Sequence, residues 1–365
     1  MTTLLRASSS AEFLGLVPAL AGFTPTQSVV LLPFHGSRAY GAMRMDLPRD
    51  DVSPEDFARG AIGLVSKVDG ADAVAIVVYA DEDPHRTPDG LVLPLTVQVD
   101  ELLGCADDAG HRVVDALCVT PGGWSSYLED DPELEPLPAT DAAASDQHAG
   151  VELPAAGLVE KEHVGRALRD IGTLLDRDEH GRLDGSENPQ AIAALALLED
   201  VPEFFEMLLD APDEQPPFVT AGLLWCLDRP LLRDVALVQW ATSLADGVRT
   251  LEVQCAFAET GSGIPDDLGR VFLGQGASPD TGRLRLALSA VRLAAARAPR
   301  GSRPAPLTIA AWLSWALGRS THAEHYLQMV RAIDPEYGLA ALLGTVVGAG
   351  MLPDWAFRRG PGRRR

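Results

Sequence analysis

Two groups of side chains in this sequence have the chemistry to hold a polar ligand. Arg44 and Asp46 lie two apart in Tyr40–Leu47 (YGAMRMDL), so in extended chain they share a face. A guanidinium beside a carboxylate is either a surface ion pair or the floor of a polar pocket. The second group is Gly122-Gly123-Trp124-Ser125-Ser126-Tyr127. Its glycines allow close backbone approach, and two aromatic rings with two hydroxyls suit a ligand wall, whereas packing of Trp124 and Tyr127 beside a hairpin turn would serve the fold alone. Arg44, Asp46, Trp124, Ser125 and Tyr127 are therefore the ligand-binding candidates, and no residue is assigned a catalytic role.

Other constellations are incomplete. His322, Glu324 and His325 sit at a helix start with two ligand types on one face but no third nearby, and Glu160, Glu162 and His163 are in the same position. The acidic runs Asp81-Glu82-Asp83 and Glu129-Asp130-Asp131 lack the glycine and terminal glutamate of a calcium loop. No G-x-S-x-G elbow is present, and neither Lys67 nor Lys161 follows a glycine as a phosphate-binding loop requires. Gly261-Ser262-Gly263 follows no strand, and Gly344, Gly348 and Gly350 lack dinucleotide-binding spacing. Cys105, Cys118, Cys226 and Cys255 never form a C-x-x-C pair, which writes no local zinc or redox site and fits a reducing compartment. The expectation is no metal and no cofactor.

Charge narrows the partners. The formal net charge is −22, yet residues 281–365 carry 13 basic and 4 acidic side chains, a local +9, while residues 151–280 carry −15. An acidic body repels phosphate backbones, so nucleic acid is an unlikely partner, and the basic end remains eligible for an acidic one. The run Phe13–Phe23 mimics a signal peptide, but Glu12, Pro18 and the single charge of Arg6 argue against one, which places the protein in the cytoplasm. The longest uncharged stretch, Tyr337–Pro353, has five glycine or proline positions and falls short of the roughly 20 apolar residues of a membrane span.

The elements that must position these residues follow from hydrophobic periodicity. Ser28–Phe34 and Ala71–Tyr79 are apolar, β-branched runs typical of buried strands. Tyr40–Leu47 alternates, sending Met43, Met45 and Leu47 one way and Ala42, Arg44 and Asp46 the other. Ser53-Pro54 opens a helix to about Val68, a second helix falls within Leu95–Gly110, and a strand follows at Arg112–Val119. This predicts a layered α/β domain with a mixed sheet over residues 1–128 and an acidic, Pro- and Ala-rich linker or loop at 129–157. An all-α helical domain follows over 158–355, with a basic tail at 356–365. Within the helical domain the segments expected are 158–180, 189–199, 202–210, 217–227, 230–246, 265–274, 281–298, 306–317, 321–333 and 336–349.

In the 281–298 helix, Leu284, Ala287, Leu288, Val291, Ala294, Ala295 and Ala298 make one apolar stripe. Arg285 and Arg292 border it on one side and Arg283 and Arg297 on the other. Charged borders of a docked core helix explain this better than one basic face gripping an anion. Gly318, Ala323, Leu327 and Pro335 take the spacing of a tetratricopeptide-like hairpin, with no second copy at that period; a single hairpin capping the bundle is expected.

The opening of the chain also resembles an actinobacterial family, domain-of-unknown-function family 4192. Its Pro-x-Leu-x-Gly-Phe-x-Pro-x-x-Ser-x-Val and Arg-x-Asp-Leu-Pro patterns are matched by Pro18, Leu20, Gly22, Phe23, Pro25, Ser28, Val30, Arg44, Asp46, Leu47 and Pro48. Trp124–Tyr127 and Asp334–Ala340 are similar to two further segments of that family. The doubled tryptophan and following cysteines of the family are missing after Trp124, which speaks against a cysteine-based metal or redox role. The resemblance implies an actinobacterial intracellular protein and supplies no activity. The expectation is a non-catalytic binding or protein-interaction protein, with a small polar ligand on the α/β domain and a protein partner on the helical domain. The alternative is an enzyme, such as a hydrolase, whose site assembles Arg44, Asp46, Trp124 and Tyr127 in three dimensions.

Overall fold

The computed structural model describes residues 7–88, 90–138, 146–177, 186–261, 263 and 265–358. The chain divides into two compact units, the first reaching Ala149 and the second beginning at Gly150. The first is a mixed sheet with helices and the second is helical.

The first unit runs α1 (Ser10–Ala21), β1 (Ser28–His35), β2 (Arg38–Ala39), β3 (Met43–Asp46), α2 (Pro54–Ser66), β4 (Ala73–Tyr79), β5 (His85–Thr87), β6 (Gly90–Val92), α3 (Thr96–Asp108), β7 (Arg112–Thr120) and β8 (Gly123–Ser126). The main sheet has the order β2-β1-β4-β7-β8, with β3 also paired to β1. Only β4 and β7 pair in parallel; β1 lies antiparallel to β4, and both are largely apolar runs whose two faces are covered by helices. Alternation then divides the core. Val29, Leu31, Val74, Ile76 and Val78 face α2 and α3, while Val30, Leu32, Ala75, Val77 and Leu117 face α1. Met43, Met45 and Leu47 join the α2/α3 side, as period two requires.

Two elements depart from the sequence expectation. The signal-like run is α1: Ser9 accepts from the Glu12 amide, Glu12 reaches back to the Ser8 amide at 2.8 Å, and Gly22 closes the helix in left-handed backbone at φ 81°. This start is written in the sequence as Ser8-Ser9 followed by Glu12, but the apolar composition masked it. The acidic loop Ala80–Gly90 holds β5 and the start of β6, which form a small hairpin.

The second unit comprises α4 (Leu158–Arg177), α5 (Pro189–Leu197), α6 (Val201–Asp210), α7 (Pro217–Leu227), α8 (Pro230–Ala241), α9 (Leu244–Thr260), α10 (Asp266–Phe272), α11 (Thr281–Arg297), α12 (Pro304–Ala316), α13 (Ser320–Arg331) and α14 (Gly338–Gly348). The segment expected at 230–246 is two helices. The chain breaks at Thr242, and Ser243 then caps α9 by accepting from the Asp246 amide. Helices α12 and α13 are joined at Gly318, which lies in left-handed backbone at φ 75°. Every residue of α12 is buried, so this helix is central and its neighbours surround it.

The segment read as a linker is shared between the units. Glu135 exchanges backbone hydrogen bonds with Trp124 at 2.8 and 2.9 Å, and Val151 is buried in the helical core. Of the basic tail, Arg358 donates to the Gly276 carbonyl, whereas Arg359, Arg363, Arg364 and Arg365 lie outside the described residues. Among the described residues no helix is long and apolar enough to cross a membrane.

Candidate functional site

Strand register sets the site. Asp46 pairs with Ser28, Ser28 with Tyr79, Tyr79 with Val119, and Val119 with Trp124. These five side chains form one row across β3, β1, β4, β7 and β8, on the face that carries α1. The row crosses the carboxyl ends of the parallel strands β4 and β7, the end at which open sheets usually receive ligands.

Two polar groups of this row, on β1 and β8, are buried. Ser28 is fully buried and its Oγ has no hydrogen-bond partner among the described residues. Trp124 is 6% exposed and its indole Nε1 is equally without a partner. Between them stand Tyr79 and Val119; Tyr79 is 9% exposed, and burial pushes its phenol well above its ordinary value. A buried donor left unmade costs about 1–3 kcal/mol, so such atoms in a native protein mark a place where water or a ligand belongs. Ser28 stands in the family pattern, but neither it nor Tyr79 is among the ligand-binding candidates of the sequence. Their signal is slight: a serine opening and a tyrosine closing two apolar runs that pair antiparallel.

The structure brings only part of the expected constellation together. Arg44 and Asp46 form an ion pair at 2.7 Å on β3, with the arginine side chain 14% exposed and the carboxylate 84% exposed. Trp124 shares their face but lies across four strand intervals, about 19 Å away at the usual strand spacing. Ser125 and Tyr127 point to the other face, toward α2 and α3. The Tyr127 hydroxyl donates to the Pro94 carbonyl at 2.5 Å, and its pKa is raised far above the ordinary value by burial and by Cys118. Burial pushes the Cys118 thiol up to about 11, so it stays protonated. Tyr127 thus ties the end of β8 to the turn before α3. Ser125 Oγ is buried on that side with no partner among the described residues.

The glycines beside Trp124 approach their own chain. The Gly122 amide donates to Asp83 Oδ1 at 2.8 Å, and a Cβ on Gly123 would lie 2.4 Å from the Glu135 carbonyl oxygen. Gly123 also has φ 147°, a conformation that side-chain-bearing residues avoid. Gly123→Ala is expected to destabilise the first unit by about 2–4 kcal/mol, because backbone strain and a backbone clash add. Urea unfolding would measure it, and a change below about 1 kcal/mol would mean that residues 134–135 yield easily.

The remaining clusters are occupied. Glu324 binds Arg331 and Gln328, Glu160 pairs with Arg297, and Glu162 with Arg166. His322 is buried, and no group of three metal-ligating side chains occurs among the described residues.

Comparison with known proteins gives one match. A family model described as "Domain of unknown function (DUF4192)" matches residues 11–262 and 277–354. No curated protein and no solved structure matches the chain.

Proposed function

This chain belongs to the family described as Domain of unknown function (DUF4192), and we propose that it is a cytoplasmic, non-catalytic binding protein whose α/β unit takes a small polar ligand on the Ser28–Tyr79–Trp124 row. The observation that carries this reading is the pair of buried, unpartnered groups, Ser28 Oγ and Trp124 Nε1, on either side of Tyr79. Ser28 offers an acceptor and a donor, and the indole a donor only, so the complementary ligand presents an acceptor to the tryptophan. Arg44 and Asp46 mark the rim of the row at β3, with Asp46 exposed to solvent. The helical unit, with its basic C-terminal region, is the part suited to a protein partner of acidic character.

A thermal-shift screen of small polar metabolites tests the reading. A ligand present at 100 times its Kd should stabilise the protein by about 2.7 kcal/mol. Trp124→Phe should remove that increment while keeping most of the packing. Ser28→Ala should remove it too, and should leave the unliganded protein as stable or slightly more so, since an unpaired hydroxyl is deleted from the core. Silence across a broad library, or hits that bind both variants as well as the parent, would overturn the assignment of the row.

A further inference from the structure

Helices α8 and α9 pack along one another, and α10 lies against α8. Their register is set beside the break at Thr242 and Ser243, where the Gln239 side chain lies directly over Gly247. Carried equally far along both helices from that point, the pairing puts Asp234 of α8 opposite the stretch of α9 between Thr250 and Gln254, which share a face at i, i+4 spacing. All three line one cleft of about 510 Å³, closed on the far side by Leu268 and Phe272 of α10 and by Leu273. That volume suits a small molecule. Helix α10 falls between the two stretches that the family model matches, so this wall lies outside the shared pattern.

The polar groups of the cleft are short of partners. Gln254 is 9% exposed, and its side-chain amide makes no hydrogen bond among the described residues. Thr250 is buried; its hydroxyl donates to the Asp246 carbonyl at 2.6 Å, which leaves the oxygen as an acceptor. Asp234 uses one oxygen: Oδ1 accepts from Arg233 at 3.2 Å, while Oδ2 accepts no hydrogen bond among the described residues. Burial outweighs that one guanidinium and raises the carboxyl above its ordinary value of 3.8, so its charge is under-compensated. The other charged groups of the lining, Asp266 and Arg270, are exposed and opposite in sign.

We propose that Asp234, Thr250 and Gln254 bind the ammonium group of a small organic amine whose apolar body lies against Leu268, Phe272 and Leu273. An ammonium has three N–H donors and no acceptor, and the cleft meets it with three oxygens: Asp234 Oδ2, Thr250 Oγ1 and Gln254 Oε1. The bond to the carboxylate is charge-assisted and stronger than one between neutral groups. An anion fits less well, because Asp234 and the −15 carried by residues 151–280 repel it. A metal ion also fits less well, since no group of three metal-ligating side chains occurs among the described residues. The site lies within the helical unit and is independent of the row on the sheet.

The test is titration of the full chain with 2-phenylethylamine, hexylamine and the neutral 2-phenylethanol at pH 7 and matched ionic strength, read by calorimetry and by thermal shift. Saturable binding of an amine is expected, with the alcohol at least tenfold weaker. Asp234→Asn and Gln254→Leu should each weaken the amine at least tenfold. Gln254→Leu should melt at or above the parent temperature without ligand, since an unpaired amide leaves the packing; this separates a lost ligand from a damaged fold. Comparison of amine with alcohol on the parent needs no variant and stands if one of them fails to fold. The proposal is overturned if neither amine saturates, if the alcohol binds as tightly as its amine, or if both variants bind the amine like the parent.

Discussion

Trp240→Ala should cost the helical unit about 3–5 kcal/mol, the largest effect expected of any single core truncation here. Trp240 has no solvent exposure, stands edge-on to Phe205 with ring centroids 5.6 Å apart, and donates its indole N–H to the Phe205 carbonyl at 3.1 Å. Alanine would remove the ring, leave a cavity between α6 and α8, and delete the donor. Trp240→Phe keeps most of the volume and loses the N–H, so it should cost about 1–2 kcal/mol. Denaturant titration of both variants separates the two contributions. Equal costs for the alanine and phenylalanine variants would mean that the hydrogen bond, and not the ring, holds this contact.

Arg283→Ala should lower stability by about 2 kcal/mol near neutral pH, with the loss fading in acid. Arg283 joins three helices: it pairs with Glu206 of α6 and donates to the Gln239 carbonyl of α8 at 3.2 Å, while Gln239 donates to Glu206 at 3.1 Å and to the Pro202 carbonyl at 2.7 Å. The arginine holds the Glu206 carboxyl below its ordinary value of 4.5, and the pair is less than a third exposed. A depressed carboxyl pKa stabilises the folded state above about pH 4.5 and loses that contribution as pH falls through the folded value. In Arg283→Ala the carboxylate has lost its guanidinium, so the gap between parent and variant should be full at pH 7 and narrow below pH 4.5. Urea midpoints at pH 7, 5 and 3.5 would show this. A gap constant across that range would place the effect in packing of the arginine stem, not in the ion pair.

Both buried polar regions, the Gln239 network and the row on the sheet, are assembled from residues far apart in the chain. Helix α8 meets α9 so closely that a Cβ on Gly247 would fall 2.2 Å from Gln239 Oε1, and Gln239 itself is fully buried in a network with Glu206 and Arg283. Nothing in the local sequence around Gln239 marks it as polar core, because its partners are contributed 33 and 44 residues away. The same holds on the sheet, where Ser28 and Tyr79 become neighbours only through antiparallel pairing of β1 with β4.

By itself the sequence determined what depends on short-range periodicity. The apolar runs of β1, β4 and β7, the alternation that buries Met43 and Met45, the apolar stripe of α11 and the change from sheet to helix are all legible because burial repeats every two or 3.6 residues. It left α1 and the separation of α8 from α9 unread, since composition obscured one cap and a single serine carried the other. Tertiary structure alone decided that Trp124 faces α1 while Ser125 and Tyr127 face away, and that Arg44 and Asp46 stand at the far edge from all three. It also decided that Arg283 and Arg297, on one border of α11, find the carboxylates of Glu206 and Glu160. The reason is range: a helix or strand pattern fixes which way a side chain points, whereas its partner is set by which distant element packs there.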